Sequence, residues 1–231
     1  MSKHPYVSRE RVMRLLRRLV NCLVNLEVEG GKHIPDTGGY VLATSHFSRL
    51  DTPFLMLSTS RKDVVGMVAR DYEKAPFFGW FLNKLGVIWI SRTGYDFQAF
   101  REASSYLKSG GVVGLAPEGT RSADGKLLEG KPGAALLAMK NKVKVIPAAV
   151  LGSADMMKHF MKFTRMQVKV IFGQPFELPH LDEAGSEKDI LEQATTEIMV
   201  RIAMLLPEER RGMYADHPRL RVLLESQGLS E

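Results

Sequence analysis

The residues best placed to do chemistry are His46 and Asp51, in the run His46-Phe47-Ser48-Arg49-Leu50-Asp51. A β-like run, Tyr40-Val41-Leu42-Ala43, arrives just before it, and an apolar helix-like run, Pro53-Phe54-Leu55-Met56-Leu57, leaves just after it. His46 is therefore expected at the carboxyl end of a strand and Asp51 at the start of a helix. In open α/β sheets ligands gather outside the carboxyl ends of strands. The His-x4-Asp spacing crosses a turn, so the carboxylate can fold back onto the imidazole. An imidazole held by a carboxylate can take a proton from a hydroxyl near neutral pH. The same letters also have a plain structural use, with Asp51 as an N-cap and Pro53 in the first helical turn. The two uses are compatible, because a capping aspartate can orient a histidine.

Two further groups of charged residues follow apolar strand-like runs. Arg92 ends Val87-Ile88-Trp89-Ile90-Ser91, and Glu118-Gly119-Thr120-Arg121 follows Val112-Val113-Gly114-Leu115. If these strands are parallel neighbours of the first, their ends converge on one edge of the sheet. Gly119 permits a tight backbone and close approach of a ligand, exposed N–H groups in such a turn suit an anion, and Arg121 offers a planar fork for phosphate oxygens. Lys131, just before the predicted helix from Gly133, is a further cation. The structural alternatives are a snorkelling strand-end Arg92, a turn-closing Glu118–Arg121 ion pair and a solvated Lys131. There is no Gly-x-Ser-x-Gly elbow, no Walker loop and no Gly-x-Gly-x-x-Gly after the first strands, which argues against serine hydrolase, nucleotide motor and dinucleotide enzyme. His159, His180 and His217 lie in unrelated segments, so no metal site is expected.

The elements that must position these residues alternate. Strands are predicted at 26–29, 40–44, 64–69, 87–90, 112–115, 143–151 and 168–172. Helices are predicted at 8–23, 51–58, 76–85, 97–108, 133–140 and 188–206, with a last short one from Pro218. This pattern indicates an α/β fold: a mostly parallel central sheet flanked by helices. Pro147 predicts an edge or irregular position for its strand. In the first helix Arg11, Arg14, Arg17 and Arg18 fall on one arc, and Val12, Leu15, Leu16, Leu19 and Leu23 on the other. That pattern fits a helix in a membrane interface or one packed on its own domain.

At 231 residues, 45% hydrophobic and 25% charged, the chain has material for one full core. A formal charge of +6 suits nucleic acid, an anionic membrane or phosphorylated substrates, but no basic run is interleaved with aromatics, so no nucleic-acid partner is expected. The single cysteine, Cys22, excludes an internal disulfide. Neither a transmembrane helix nor a cleaved signal is expected. The expected organisation is an N-terminal amphipathic segment over 1–30 and one α/β domain over 31–231.

Four blocks, in this order, resemble the glycerolphosphate acyltransferase family, specifically the 1-acylglycerol-3-phosphate acyltransferases. They are His46-Phe47-Ser48-Arg49-Leu50-Asp51, Gly86-Val87-Ile88-Trp89-Ile90-Ser91-Arg92, Pro117-Glu118-Gly119-Thr120-Arg121-Ser122 and Val145-Ile146-Pro147-Ala148-Ala149-Val150. Ser45 departs from the family's usual Asn, Ala116 and Gly130 stand where Phe is common, and Ala69-Arg70-Asp71 replaces a Lys-centred stretch. The resemblance implies an O-acyltransferase acting on lysophosphatidic acid. His46 would be the general base and Asp51 its orienting carboxylate. Arg92 and Arg121 would hold the acceptor phosphate, Glu118, Gly119 and Thr120 the loop supporting them, and Lys131 would line the same pocket. It further implies an acyl-CoA or acyl carrier protein thioester as co-substrate with no other cofactor, a membrane-docking first helix, and a peripheral place on the cytoplasmic face of a membrane. Glycerol-3-phosphate or another lysolipid remains an alternative acceptor. The rival from another class is a non-catalytic, anion-binding peripheral membrane protein.

Overall fold

Strands buried on both faces need apolar residues pointing both ways, and the first internal strand has them. In the computed structural model, β2 (Tyr40–Thr44) sends Val41 and Ala43 into one core cluster and Tyr40 and Leu42 into another. That is the period of two expected of a covered parallel sheet. The structure describes residues 6–92, 94–155, 164–179, 186–226 and 228; His159 and His180 lie outside them.

Among the described residues seven strands form the sheet: β1 (Val24–Glu29), β2, β3 (Val64–Ala69), β4 (Ile88–Ile90), β5 (Val112–Leu115), β6 (Lys144–Leu151) and β7 (Met166–Phe172). Their spatial order is β1-β7-β6-β2-β5-β3-β4. Every pairing is parallel except β6 with β7. The five strands from β6 to β4 therefore share one direction, and β7 and β1 run against them.

One face of the sheet is covered by α4 (Phe97–Lys108), α5 (Gly133–Asn141), α6 (Glu187–Met204) and α7 (Pro218–Ser226), through Ala103, Leu137, Ile198 and Leu220. The other carries α2 (Asp51–Ser58), through Phe54, Leu55 and Met56, with Met13 and Val20 of α1 (Tyr6–Leu23) packed against the same cluster. A third cluster, Leu82, Leu85 and Val87, joins α3 (Pro76–Leu85) to Val12 and Met13.

Two local expectations are refined. Of the two positions expected for Pro147 it takes the irregular one and is not on an edge strand: β6 lies between β7 and β2. Its missing N–H is tolerated because β6 pairs with β7 only from Ala148 to Leu151, and Val145 bridges separately to Phe176. Pro147 sits in the gap between these pairings, where its carbonyl still accepts from Gly173 N–H at 2.8 Å. Asp51 is not an N-cap either; it is the first helical residue, Leu50 holds the cap position, and Leu50 makes no side-chain cap bond. In α1 the expected aliphatic arc divides. Val12 and Leu16 are half-buried, whereas Leu15, Leu19 and Leu23 are exposed.

Candidate active site

Sheet register alone brings the predicted residues to a common level. β2 and β5 pair with Ala43 opposite Leu115. His46 is three residues beyond the first and Glu118 three beyond the second, so both leave the sheet side by side. His46 N–H donates to Glu118 Oε1 at 2.9 Å, and Ser122 N–H donates to the His46 carbonyl at 3.0 Å. The loop after β5 thus grips the histidine backbone from both sides. The same logic works at the sheet margin, where Ala69 pairs with Ile90. Asp71 and Arg92 lie two residues beyond these, and Arg92 Nε meets Asp71 Oδ2 at 3.3 Å.

His46 Nδ1 lies 3.4 Å from Asp51 Oδ2, with the imidazole a quarter exposed and the carboxylate buried. That separation is longer than an ideal hydrogen bond. The turn is closed by Asp51 Oδ2, which accepts from the N–H groups of both Phe47 and Ser48 at 2.7 Å. Asp51 Oδ1 accepts from the hydroxyl of Ser153, a buried residue just beyond β6. With Nδ1 turned to the carboxylate, Nε2 is the ring nitrogen available to a substrate proton. Ser45 beside it is fully buried, and its hydroxyl has no hydrogen-bond partner among the described residues.

Glu118 points inward. It is 1% exposed, and its second oxygen accepts from Leu128 N–H at 2.9 Å. Burial pushes its carboxyl up to about 7, against the pull of the two N–H donors and the neighbouring His46. Its two oxygens position His46 and the 123–131 loop. Gly119 has φ +68°, and a Cβ there would come within 3.1 Å of the Lys131 side chain. Lys131 therefore lies across the glycine turn, where Gly119, Thr120, Arg121 and Lys131 are all exposed. Gly130 leaves no room for a side chain: a Cβ would be 2.5 Å from Met199.

The arginines converge on Tyr72, a residue that no motif or spacing marks. The guanidinium carbons of Arg49 and Arg92 lie 5.6 and 5.9 Å from the Tyr72 ring centre. Burial pushes the Tyr72 phenol up, but Arg121, Arg49 and Arg92 together outweigh it and hold it below its ordinary value. Among the described residues no carboxylate lies within ion-pair distance of Arg49 or Arg121, so this positive cluster is open to an anion. Asp96 fixes the loop carrying Arg92, its carboxylate accepting from Ala99 and Ser91 N–H at 3.0 and 2.8 Å. Arg49 was in plain view inside the His-x4-Asp block. Tyr72 and Ser153 carry no spacing signal, because their partners are set by the fold.

An α/β sheet with a histidine–carboxylate pair and grouped cations beyond its strand ends suits group transfer to a phosphorylated acceptor. The family model described as Acyltransferase matches residues 25–151, more than half of the chain, and the chain belongs to the acyltransferase family. It is 24% identical over 196 residues to 1-acyl-sn-glycerol-3-phosphate acyltransferase of Bacillus subtilis (strain 168), covering 82% of this chain and 96% of that one. It is 32% identical over 174 residues to 1-acyl-sn-glycerol-3-phosphate acyltransferase alpha of Mus musculus, covering 71% of this chain but only 61% of the mouse protein. The fold matches the crystal structure of the 1-acyl-sn-glycerophosphate (LPA) acyltransferase PlsC from Thermotoga maritima with a TM-score of 0.61 and 23% identity, over 82% of this chain and 79% of that one.

Proposed function

We propose that the protein transfers a fatty acyl group from an acyl thioester to the free hydroxyl of lysophosphatidic acid, giving phosphatidic acid. The observation that carries this is the meeting of the His46–Asp51 pair with the Arg49, Arg92 and Arg121 cluster at one edge of the sheet. The names of the relatives support the same acceptor. His46 Nε2 takes the proton of the acceptor hydroxyl as its oxygen attacks the thioester carbonyl. The tetrahedral intermediate collapses with loss of the thiolate, which recovers the proton. A thioester is already activated, so positioning and a base suffice without a covalent enzyme intermediate. Asp51 fixes the imidazole and favours the imidazolium that forms. Arg92, Arg121 and Arg49 hold the phosphate remote from the reacting atom, which orients the hydroxyl. Gly119 and Thr120 shape the loop, and Lys131 adds a cation to its outer side.

The acceptor is an amphiphile, and the protein docks peripherally to reach it, on the cytoplasmic face where acyl-CoA or acyl carrier protein thioesters are found. Exposed Leu15, Leu19 and Leu23 beside Arg11 and Arg18 support α1 as the contact. No helix among the described residues is long and apolar enough to cross a membrane.

The test is acyl transfer to lysophosphatidic acid and glycerol-3-phosphate, run in parallel with acyl-CoA and acyl-loaded carrier protein, for the wild type and His46→Ala. Diacyl product is expected from lysophosphatidic acid, with a loss of about 10²–10⁴-fold on His46→Ala and an unchanged melting temperature. Full activity in a folded His46→Ala protein overturns the mechanism, and failure to acylate lysophosphatidic acid with either donor overturns the substrate.

A further inference from the structure

We propose that Ser153 is a positioning residue that sets the plane of the Asp51 carboxylate, making the pair at the active site a three-part chain of Ser153, Asp51 and His46. This rests on His46 acting as the base. A carboxyl group turns easily about its last torsion, whose preferences are broad and two-fold. The two oxygens turn together, so a donor on one adds to the hold that donors on the other place on the whole group. In Asp51 the two backbone donors, Phe47 and Ser48 N–H, both bind Oδ2, the oxygen that faces His46 Nδ1. Among the described residues Oδ1 has one partner, the Ser153 hydroxyl. A carboxylate can only accept, so the serine proton points at Asp51 and the hydroxyl is fixed as donor.

The site that holds Ser153 is itself built. Ser153 follows β6, the parallel neighbour of β2, so both ends of the contact emerge from the same sheet edge. Gly152 has φ +81°, and a Cβ there would lie 2.0 Å from the Gln167 carbonyl oxygen, so only glycine lets the chain turn there against β7. The Ser153 carbonyl accepts from the Ser48 hydroxyl at 3.2 Å, tying the turn a second time to the histidine loop. Ser153 is 2% exposed, so water cannot substitute for its hydroxyl. Removing that hydroxyl leaves Oδ1 buried without a donor and the carboxylate plane held only through Oδ2, by Phe47 and Ser48 N–H.

The experiment is steady-state acylation of lysophosphatidic acid by the full chain carrying Ser153→Ala, Ser153→Thr or Asp51→Asn, and by the Ser153→Ala/Asp51→Asn double variant. Ser153→Ala is expected to lower kcat about 10–100-fold, with acceptor KM within about twofold and circular dichroism unchanged. Ser153→Thr keeps the donor and is expected to restore most of kcat. In the Asp51→Asn background Ser153→Ala should cost nothing further, because the residue it acts through is already lost. Ser153→Cys keeps the side-chain volume with a poor donor, and should show the same kcat-selective loss even if alanine unfolds the turn. Undiminished kcat in folded Ser153→Ala or Ser153→Cys, or additive losses with Asp51→Asn, overturns the proposal. If Asp51→Asn and His46→Ala are themselves fully active, the base mechanism has failed; if they are inactive while Ser153→Ala is not, only this inference has failed.

Discussion

Arginine stands at both ends of this sheet, and the two ends use it in opposite ways. At the amino-terminal edge Arg61 is closed off. Its guanidinium makes two bonds to Asp63, at 2.7 and 2.6 Å, and three more to the carbonyls of Pro35, Gly38 and Gly110. Its side chain is 8% exposed, and it also lies over the Tyr40 ring. At the carboxyl edge Arg92 is half-exposed with one carboxylate at its margin, and Arg49 and Arg121 have none among the described residues. All of the Arg61 donors are used, so it can only hold loops together. Guanidinium groups gathered around an aromatic ring with donors to spare can bind an added anion. Charge at a strand end is thus a functional signal only once its hydrogen bonds have been counted.

The largest effect expected from this contrast is on folding. Arg61→Met should cost about 3 kcal/mol of stability, because it removes the five guanidinium bonds to Asp63 and the three carbonyls. The folded fraction should still acylate with a normal acceptor KM; a raised KM at unchanged stability would erase the distinction between the two edges.

Glu118 sharpens the contrast from the other side, as the closed, buried acid within the open edge. Its carboxyl is raised from 4.5 to about 7 in the folded protein. The folded state therefore keeps a proton that the unfolded chain releases. Its contribution is most favourable below 4.5 and is lost as pH rises through 7, amounting to roughly 2 kcal/mol between pH 5 and pH 8. Melting curves across that range should show wild type gaining on Glu118→Gln as the pH is lowered. Parallel curves would mean that burial of Glu118 does not govern its proton.

The smallest effect belongs to the open cluster. Arg121→Met should raise the acceptor KM about tenfold, roughly 1.4 kcal/mol, and leave the melting temperature within about a degree. A destabilised protein with unaltered KM would make Arg121 another Arg61.

Much of this molecule follows from near-neighbour patterns. The strand before His46, the helices at 51–58, 76–85 and 97–108, and the strands at 64–69 and 112–115 lie where apolar runs and turn residues predict them. The His46–Asp51 approach was legible for the same reason, since the two groups are joined by one turn. Pro147 shows the limit of such patterns: its chemistry predicts a local irregularity, but an interior strand can supply one where its neighbour changes pairing.

By itself the sequence determined the alternation of strands and helices, the turn that brings a carboxylate to an imidazole, and the arginines waiting at strand ends, because each depends on residues within a few positions of one another. Only the tertiary structure decided which way Glu118 faces across 72 residues, that Ser153 meets Asp51 across 102, and that Tyr72 gathers the guanidinium groups. Those contacts are set by strand order and register, and no local period encodes the order in which parallel strands pack.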